Sequence, residues 1–388
     1  MPEKTLLFID QYSNFSGGQK VLLNIISAFS EKGHRCLAVL PQRGAFSDKI
    51  ENLGAKVIPF PIGYYSITKK NPFDFIKYFL RFPILVFLLI RLIKKENIAL
   101  VYANGARVFT WATLACSIVN TPIVWHVHSV FSEGAAKYLC RLFGRFKIVK
   151  KIFVVSKVAA SSLSGLNDKI EILYNAVAET GYIKKSQNIL KKEYGLNNDA
   201  FLVASVGILE EWKNQSDLIK AAKFIKDAGK TNIYFFIVGD SLYANNEKYK
   251  LELKKMAADM GLKNRVIFTG FRKDIPDIMG SLDILAICSK DPDPCPMVSL
   301  EAASLGKAVI STDSGGVKEI FEENKEALFY KTCGFESLAN KIIYLFENRN
   351  ILNTIGDNAC MKIKKNHSLK NYLDNIVAST EIFIYENR

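Results

Sequence analysis

Two carboxylates, Asp293 and Glu301, stand eight positions apart across the start of a predicted helix in the run DPDPCPMVSLEAASLGKAVISTDSGGVKE, residues 291–319. Pro296 just inside the helix start and Gly306 just past its end are the expected start and stop signals. A helix that opens at an exposed loop turns free N–H groups and the positive end of its dipole toward that loop, which suits phosphate. Glu301, about one turn into the helix, can accept hydrogen bonds from a neighbouring diol. An anion site beside a diol acceptor describes a nucleotide. Two other readings fit the same spacing. Glu301 can be a solvated helix residue and Asp293 an ordinary turn residue, or Asp291 and Asp293 can form an Asp-x-Asp site whose hard oxygens hold a divalent cation against a diphosphate.

Two further clusters could do chemistry. Gly17 and Gly18 follow the first apolar run and open the first predicted helix, where backbone can approach a phosphate or a sugar closely; a plain glycine turn is the alternative. No G-x-G-x-x-G accompanies them, so a dinucleotide fingerprint is absent. His126 and His128 close the run WHVH and are expected on opposite faces of a strand, one toward a ligand and one packed. A lone strand-end histidine is also an ordinary structural residue.

The elements that must position these residues alternate. TLLFID, RCLAVL, KVIPF, IALVYA, PIVWHVH and KIFVVS are continuous apolar runs of buried-strand length, separated by helix-like stretches such as 19–32, 44–53 and 106–119. A second series begins near residue 200 with FLVASVG, IYFFIVGD, RVIFTGF, LDILAICS and AVISTDS. Strand–helix alternation predicts α/β with parallel sheets, and two series predict two Rossmann-like domains. Their expected limits are 1–178 and 199–369, with a polar, Lys-rich linker over 179–198 and a C-terminal helix over about 370–388 packing back on the first domain. Ligands in such sheets gather at the carboxyl ends of the strands, and two domains are expected to face each other across a cleft.

The bulk numbers agree with this plan. At 388 residues the chain is long enough for two domains, and 49% apolar with 12% aromatic residues is ample for packed cores. Seven cysteines without a C-x-x-C read as reduced, cytoplasmic usage. The first apolar stretch is too short for a signal peptide and is expected to be a buried strand. The net charge is +14, and residues 1–180 carry most of it, with 23 Lys and Arg against 11 Asp and Glu. That bias suggests an anionic partner for the first half, either phosphate-bearing lipid, a membrane surface or nucleic acid. No nucleic-acid-binding motif accompanies it, so no nucleic acid partner is expected.

The most apolar segment is FDFIKYFLRFPILVFLLIRLIKK, residues 73–95. Nine uncharged residues between Arg81 and Arg91 fall far short of the ~20 that span a bilayer. Pro83 is expected to break or start a helix here. The flanking basic residues suit a segment lying on an anionic lipid surface; a core helix of the first domain is the alternative.

Taken together, these segments resemble the retaining glycosyltransferases of the GT-B fold, in particular the large family four of bacterial cell-surface polysaccharide and glycolipid synthesis. SGGQKVLLNIISAFSEKGHRCLAVLPQRG resembles the family's Gly-Gly entry and second strand, and TPIVWHVHS its histidine strand, which places the family's histidine on His128. ILYNAV is similar to the end of the family's first domain and SVGILEEWKNQSDLIKAA to the start of its second. PDPCPMVSLEAASLGKAVISTDSGGVKEI resembles the signature in which an acid and a Glu are separated by seven residues. Three departures stand out: Asp293 where the family has Glu, Ile208 where it has Arg, and Tyr174-Asn175-Ala176 for Pro-Asn-Gly.

The resemblance implies transfer of a hexose-type sugar from a UDP- or GDP-linked donor to a hydroxyl of a glycan or lipid-linked acceptor, with retention at the anomeric carbon. It implies no cofactor and no metal, and a cytoplasmic protein peripherally attached to the inner face of the membrane. His128, Asp293 and Glu301 take the catalytic positions. Gly17, Gly18, Gly207, Lys213, Gly239, Phe271, Arg272, Cys295, Pro296, Met297, Val298 and Glu301 take the donor-binding ones. Lys213 and the amides of Met297 and Val298 fall to the diphosphate, Glu301 to the ribose, Asp293 to the transferred sugar, and Phe271 with Arg272 to the base. A nucleotide-sugar epimerase of the same fold, or a non-catalytic nucleotide-sugar or partner-binding module, is the alternative function.

Overall fold

The apolar runs of the first half form strands buried on both faces, as parallel strands between two helix layers must be. The computed structural model describes residues 3–63, 72–178, 188–241 and 247–385. The chain divides into two units, Met1–Asn175 with Lys370–Arg388, and Ala176–Leu369.

Unit 1 runs β1 (Thr5–Asp10), α1 (Gly17–Glu31), β2 (Arg35–Leu40), α2 (Ala45–Glu51), β3 (Lys56–Pro59), α3 (Pro72–Glu96), β4 (Ile98–Asn104), α4 (Ala106–Val119), β5 (Ile123–Val127), α5 (Ala135–Gly144), β6 (Val149–Val154), α6 (Lys157–Ser161) and β7 (Ile170–Ile172). The parallel sheet has the order β3-β2-β1-β4-β5-β6-β7, so the direction of winding reverses between β1 and β4. On one face Leu7, Ile9, Val101, Ala103 and Trp125 share a core with α3, α4 and α5. Trp125 stacks on Phe109 at 4.4 Å between centroids, a contact worth about 1 kcal/mol beyond the area it buries.

Helix α3 departs from the sequence expectation. Pro83 neither breaks nor starts it; the helix continues through. Its core face is unbroken on both sides of the proline, with Tyr78 and Phe82 before it and Leu85, Leu89 and Leu92 after it packed into the same core. The proline itself points outward. Tertiary packing of one face thus carries the helix across the missing backbone bond.

Unit 2 runs α7 (Ile189–Glu193), β8 (Phe201–Val206), α8 (Ser216–Asp227), β9 (Ile233–Val238), α9 (Glu247–Asp259), β10 (Val266–Gly270), α10 (Ile275–Ser281), β11 (Ile284–Ile287), α11 (Met297–Ser304), β12 (Ala308–Thr312), α12 (Val317–Ile320), β13 (Leu328–Tyr330), α13 (Phe335–Glu347) and α14 (Arg349–Asn366). Its parallel order is β10-β9-β8-β11-β12-β13, and the winding reverses between β8 and β11. Strands β7 and β13, three residues each at sheet edges, were not among the apolar runs read from the sequence.

The last helix, α15 (Leu369–Tyr385), returns to unit 1, buries Tyr372, Ile376 and Val377 there, and sets Glu381 3.8 Å from His34. The expected linker differs from the structure. Residues 179–187 of it lie outside the described residues, whereas 188–198 are part of unit 2. Within them α7 buries Leu190 against Ile278 and Leu282. A polar, Lys-rich composition hid one inward-facing residue per turn.

Candidate functional site

Ligand sites of open parallel sheets form where the winding reverses, because the loops leaving the two neighbouring strands part there. In unit 2 those loops leave β8 and β11. The first carries Gly207, Ile208 and a 3-10 turn, Glu211–Lys213; the second runs from Cys288 to Pro296 and feeds α11. Lys213 Nζ donates to Asp293 Oδ2 at 2.5 Å, so an ion pair joins the two loops across the reversal point. The ammonium also sits 4.1 Å from the centre of the Trp212 ring, whose indole N–H donates to Glu210. Lys290 N–H donates to Trp212 O at 2.8 Å, a second tie between the loops.

The position of Asp293 is set from the other side by the turn after β12. Gly316 N–H donates to Asp293 O at 2.9 Å. Gly315 has φ +78°, and a Cβ there would stand 2.3 Å from Asp293 O. Only glycine permits that approach, which accounts for Gly315, the first of the Gly-Gly pair, in mechanical terms. Asp293 is 9% exposed, while Asp291 faces solvent.

Helix α11 begins with Pro296 at the N-cap, which offers no side-chain acceptor to the first turn. Ser299 N–H closes on Pro296 O at 3.0 Å, and the amides of Met297 and Val298 open the turn. Cys295 and Pro296 are buried and fix the entry angle; Glu301 lies half-buried one turn further on. At the C-terminal end Gly306 takes φ +71°, and Gly356 of α14 packs so closely that a Cβ would lie 2.2 Å from Gly306 O. Gly239, after β9, meets Gly207 in the same way: a Cβ on it would stand 2.0 Å from Gly207 O. The two glycines therefore let the backbones that follow neighbouring strands touch. Among the described residues no group of three or more His, Cys, Asp or Glu side chains converges as a metal site.

In unit 1 the reversal point holds a different arrangement. Register places Asp10, Asn104 and His126 side by side at the ends of β1, β4 and β5. Asn104 Nδ2 donates to Asp10 Oδ2 at 2.5 Å, and His128 Nε2 lies 2.8 Å from Asn104 Oδ1. Tyr12 N–H, at 2.7 Å, and Gln19 Nε2, at 3.1 Å to both oxygens, also donate to Asp10, as does the Gln11 backbone. Ser16 donates to Gln19 and sets its amide. The chain of donors dictates a tautomer. A carboxylate accepts only, so Asn104 must present its amide nitrogen to Asp10 and its oxygen to His128, whose Nε2 then carries the hydrogen. His128 Nδ1 is left as an acceptor.

Burial raises the Asp10 carboxyl from its usual range to about 6, against the opposing pull of its hydrogen bonds. Burial also pushes His128 down to about 4 and His126 well below its usual range. At neutral pH His128 is an uncharged imidazole, suited to accepting a hydrogen bond and not to donating a proton.

One sequence expectation changes. His126 and His128 share one face, with ring centroids 4.0 Å apart, because residues i and i+2 of a strand line the same side. His126 packs against Tyr102, its Nδ1 3.0 Å from the phenol oxygen. Arg272 has both arms of its fork on carboxylates, Glu193 at 2.6 and 2.9 Å and Asp274 at 2.9 and 2.8 Å, which ties β10 to α7 and α10. Phe271 is exposed just after β10, the edge strand two places from β8. Gly17, Gly18 and His128 belong to unit 1, where Gly18 lies under the His128 ring. Asp10, Asn104 and Gln19 were missed. For Asp10 and Asn104 the signal was a polar residue closing an otherwise apolar run, in TLLFID and in IALVYAN; Gln19, inside α1, carried none.

Comparison with known proteins gives the architecture its family. Residues 15–180 match the model described as Glycosyltransferase Family 4, and residues 186–362 match Glycosyl transferases group 1. The chain is 24% identical, over 74% of its length and 76% of the relative's, to the UDP-Gal:alpha-D-GlcNAc-diphosphoundecaprenol alpha-1,3-galactosyltransferase of Escherichia coli. It is 24% identical, over 93% of both chains, to the N,N'-diacetylbacillosaminyl-diphospho-undecaprenol alpha-1,3-N-acetylgalactosaminyltransferase of Campylobacter jejuni. The structure of Anabaena HepE in complex with UDP-glucose superposes with a TM-score of 0.83 at 25% identity, covering 97% of this chain and 99% of that one. WaaG, a glycosyltransferase of lipopolysaccharide biosynthesis, shares the fold at a TM-score of 0.70 and 15% identity, covering 97% and 99%. With a glycosyltransferase model matching each half and the same two parallel-sheet units in its solved neighbours, the chain belongs to the GT-B glycosyltransferases of group 1 and family four.

Proposed function

We propose that the protein is a retaining hexosyltransferase that moves a sugar from a UDP-linked donor to a hydroxyl of a lipid-linked glycan at the inner face of a membrane, in the synthesis of cell-surface polysaccharide. The observation that carries this reading is the Lys213–Asp293 pair at the winding reversal of unit 2, beside the uncapped start of α11 and one turn before Glu301. A diphosphate needs a cation and free amides; Lys213, Met297 and Val298 offer them. Glu301 accepts from the ribose hydroxyls. Asp293, released from Lys213 when the ammonium turns to phosphate, accepts from hydroxyls of the sugar.

UDP is favoured because the HepE complex contains UDP-glucose and the Escherichia coli relative is named for UDP-Gal. A lipid-linked acceptor is favoured because both relatives above are named for diphosphoundecaprenol-linked glycans. The leaving oxygen departs from the anomeric carbon, the acceptor oxygen bonds to the same face, and the departing phosphate takes the acceptor proton. Charge building on that phosphate is met by Lys213 and the α11 dipole without metal. Neutral His128 holds a sugar or acceptor hydroxyl through Nδ1.

A thermal-shift series with UDP, GDP and ADP is the first test, since a ligand of the folded state raises its melting temperature. UDP is expected to give the largest shift. Turnover is then followed with UDP-sugars and a membrane lipid extract, scoring free UDP, label in lipid and the anomer formed. Inversion at the anomeric carbon, or epimer formed without acceptor, would sink the retaining-transferase reading; binding without turnover would reduce the protein to a nucleotide-sugar-binding module.

A further inference from the structure

Helix α3 is apolar on two faces, and one of them is uncovered. Leu85, Leu89 and Leu92 enter the core of unit 1. On the opposite side Ile76, Phe79, Leu80, Ile84 and Phe87 are each more than half exposed. At about 100° per residue these five and Pro83 fall on a single stripe, which runs for about 17 Å of helix. The continuity of α3 through Pro83 makes the stripe one surface instead of two. Arg91 and Lys94 continue its line over the next two turns, and both are exposed, as are Lys77 and Lys95 beside it. Glu96, the acid at that end, is paired with Arg35 at 2.8 Å and leaves the basic end uncompensated.

Among the described residues no helix is long and apolar enough to cross a membrane. A stripe of aromatic and aliphatic side chains that ends in two bases on the same line fits a helix lying in a headgroup layer. The charge of the first half agrees, with 23 Lys and Arg against 11 Asp and Glu over residues 1–180. A second copy is the poorer occupant, because each copy brings the same basic excess to the contact. We infer that the outer face of α3 is a docking surface for an anionic bilayer, with Phe79, Leu80, Ile84 and Phe87 entering the boundary between headgroups and acyl chains and Arg91 and Lys94 meeting lipid phosphates. This deepens the proposed function by naming the surface that brings the enzyme to a lipid-linked acceptor, and it rests on that reading for its purpose alone.

The test is co-sedimentation of the full chain with sucrose-loaded vesicles of phosphatidylcholine, with or without an equal part of phosphatidylglycerol, at low and high salt. The wild-type protein is expected to bind the anionic vesicles at low salt and to be released at high salt. Phe79→Ser/Phe87→Ser, both at exposed positions, should lower partitioning about tenfold or more. Arg91→Glu/Lys94→Glu should lower it and remove its salt dependence. Circular dichroism and the UDP-induced thermal shift should be unchanged in both variants. Wild-type protein that binds neither vesicle or both equally, or a Phe variant that sediments as the wild type does, overturns the inference. So does a dimer in sedimentation equilibrium that the Phe variant dissolves, which would give the face to a second copy. A protein that docks on vesicles but shows no UDP shift would instead sink the donor reading and leave the docking surface standing.

Discussion

At the winding reversal of unit 1 a carboxylate is buried among neutral donors, whereas at that of unit 2 a carboxylate is paired with a lysine. Asp10 is fully buried and held by Asn104, Gln19 and a backbone amide; its burden is desolvation, and its pKa rises to about 6. Asp293 keeps a cation at 2.5 Å beside an open helix start. Both folds offer the same topological position, and the side chains there decide its use. Unit 2 gathers positive potential that can answer a diphosphate. Unit 1 fixes the orientation and tautomer of an uncharged imidazole. The two sheets therefore present different chemistry at the same topological point, a cation beside a helix start without a side-chain cap in one and a neutral acceptor nitrogen in the other.

The largest losses are expected in unit 2. Lys213→Met should lower kcat by about a hundredfold to a thousandfold, the usual cost of losing one preorganised charge contact in a transition state. It also strands the nearly buried Asp293. Glu301→Ala should weaken UDP binding by about a hundredfold, since two charge-assisted hydrogen bonds to ribose would go. Steady-state assays and UDP titration check both, and an unchanged UDP affinity in the Glu301 variant would refute its ribose role.

Next in size is a structural break. Gly239→Ala places a Cβ 2.0 Å from Gly207 O at φ +136°, where the obstacle is backbone and cannot rotate away. A loss on the order of 3 kcal/mol or more is expected, read as a fall in the denaturant midpoint. A variant with the wild-type midpoint would mean that the two strand-end loops do not meet as described.

Asp10→Asn separates the two units by pH. The folded-state pKa of Asp10 is raised from 3.8 to about 6, so the stability it confers is fully present below 3.8 and is lost as pH rises to about 6. The loss is on the order of 3 kcal/mol. His128 runs the other way: its folded pKa falls from 6.5 to about 4, so its contribution is present above 6.5 and is lost as pH falls through that window. Asp10→Asn removes only the first slope. Its melting temperature should therefore rise relative to the wild type between pH 4 and pH 6 and stay level beyond. A difference independent of pH would show that Asp10 is not the buried acid of the network. Activity should fall about tenfold, because Asn104 then faces an amide that can donate as well as accept and no longer enforces the His128 tautomer.

Much of this was legible in residue order. The fold followed from eleven apolar runs, since a strand covered on both faces must be continuously apolar. Edge strands β7 and β13 carry too few residues to show a period, and α7 buries a single leucine. The Asp293–Glu301 frame was visible because helix start signals are local. What joins Lys213 to Asp293 is sheet order, which brings β8 beside β11 across 80 residues of chain. Asp10 and Asn104, 94 residues apart, are joined by the same rule in unit 1. Partners set by strand order cannot be read from spacing. The pairing of His126 with His128, by contrast, was available from strand periodicity alone.

The smallest effect tests whether the unit 1 arrangement serves a ligand or only the fold. A Cβ on Gly18 would meet His128 Cγ at 3.8 Å and Cδ2 at 3.9 Å, ordinary van der Waals contact, and its backbone does not lie in the left-handed region. Gly18→Ala at the start of α1 should therefore change stability by no more than about 0.5 kcal/mol, in contrast to Gly239→Ala. The added methyl would still occupy space beside the imidazole. If a sugar or acceptor hydroxyl approaches His128 there, KM for one substrate should rise severalfold while the melting temperature stays put. Unchanged kinetics alongside unchanged stability would leave Gly18 as a turn residue and move the approach to His128 to another side of the ring.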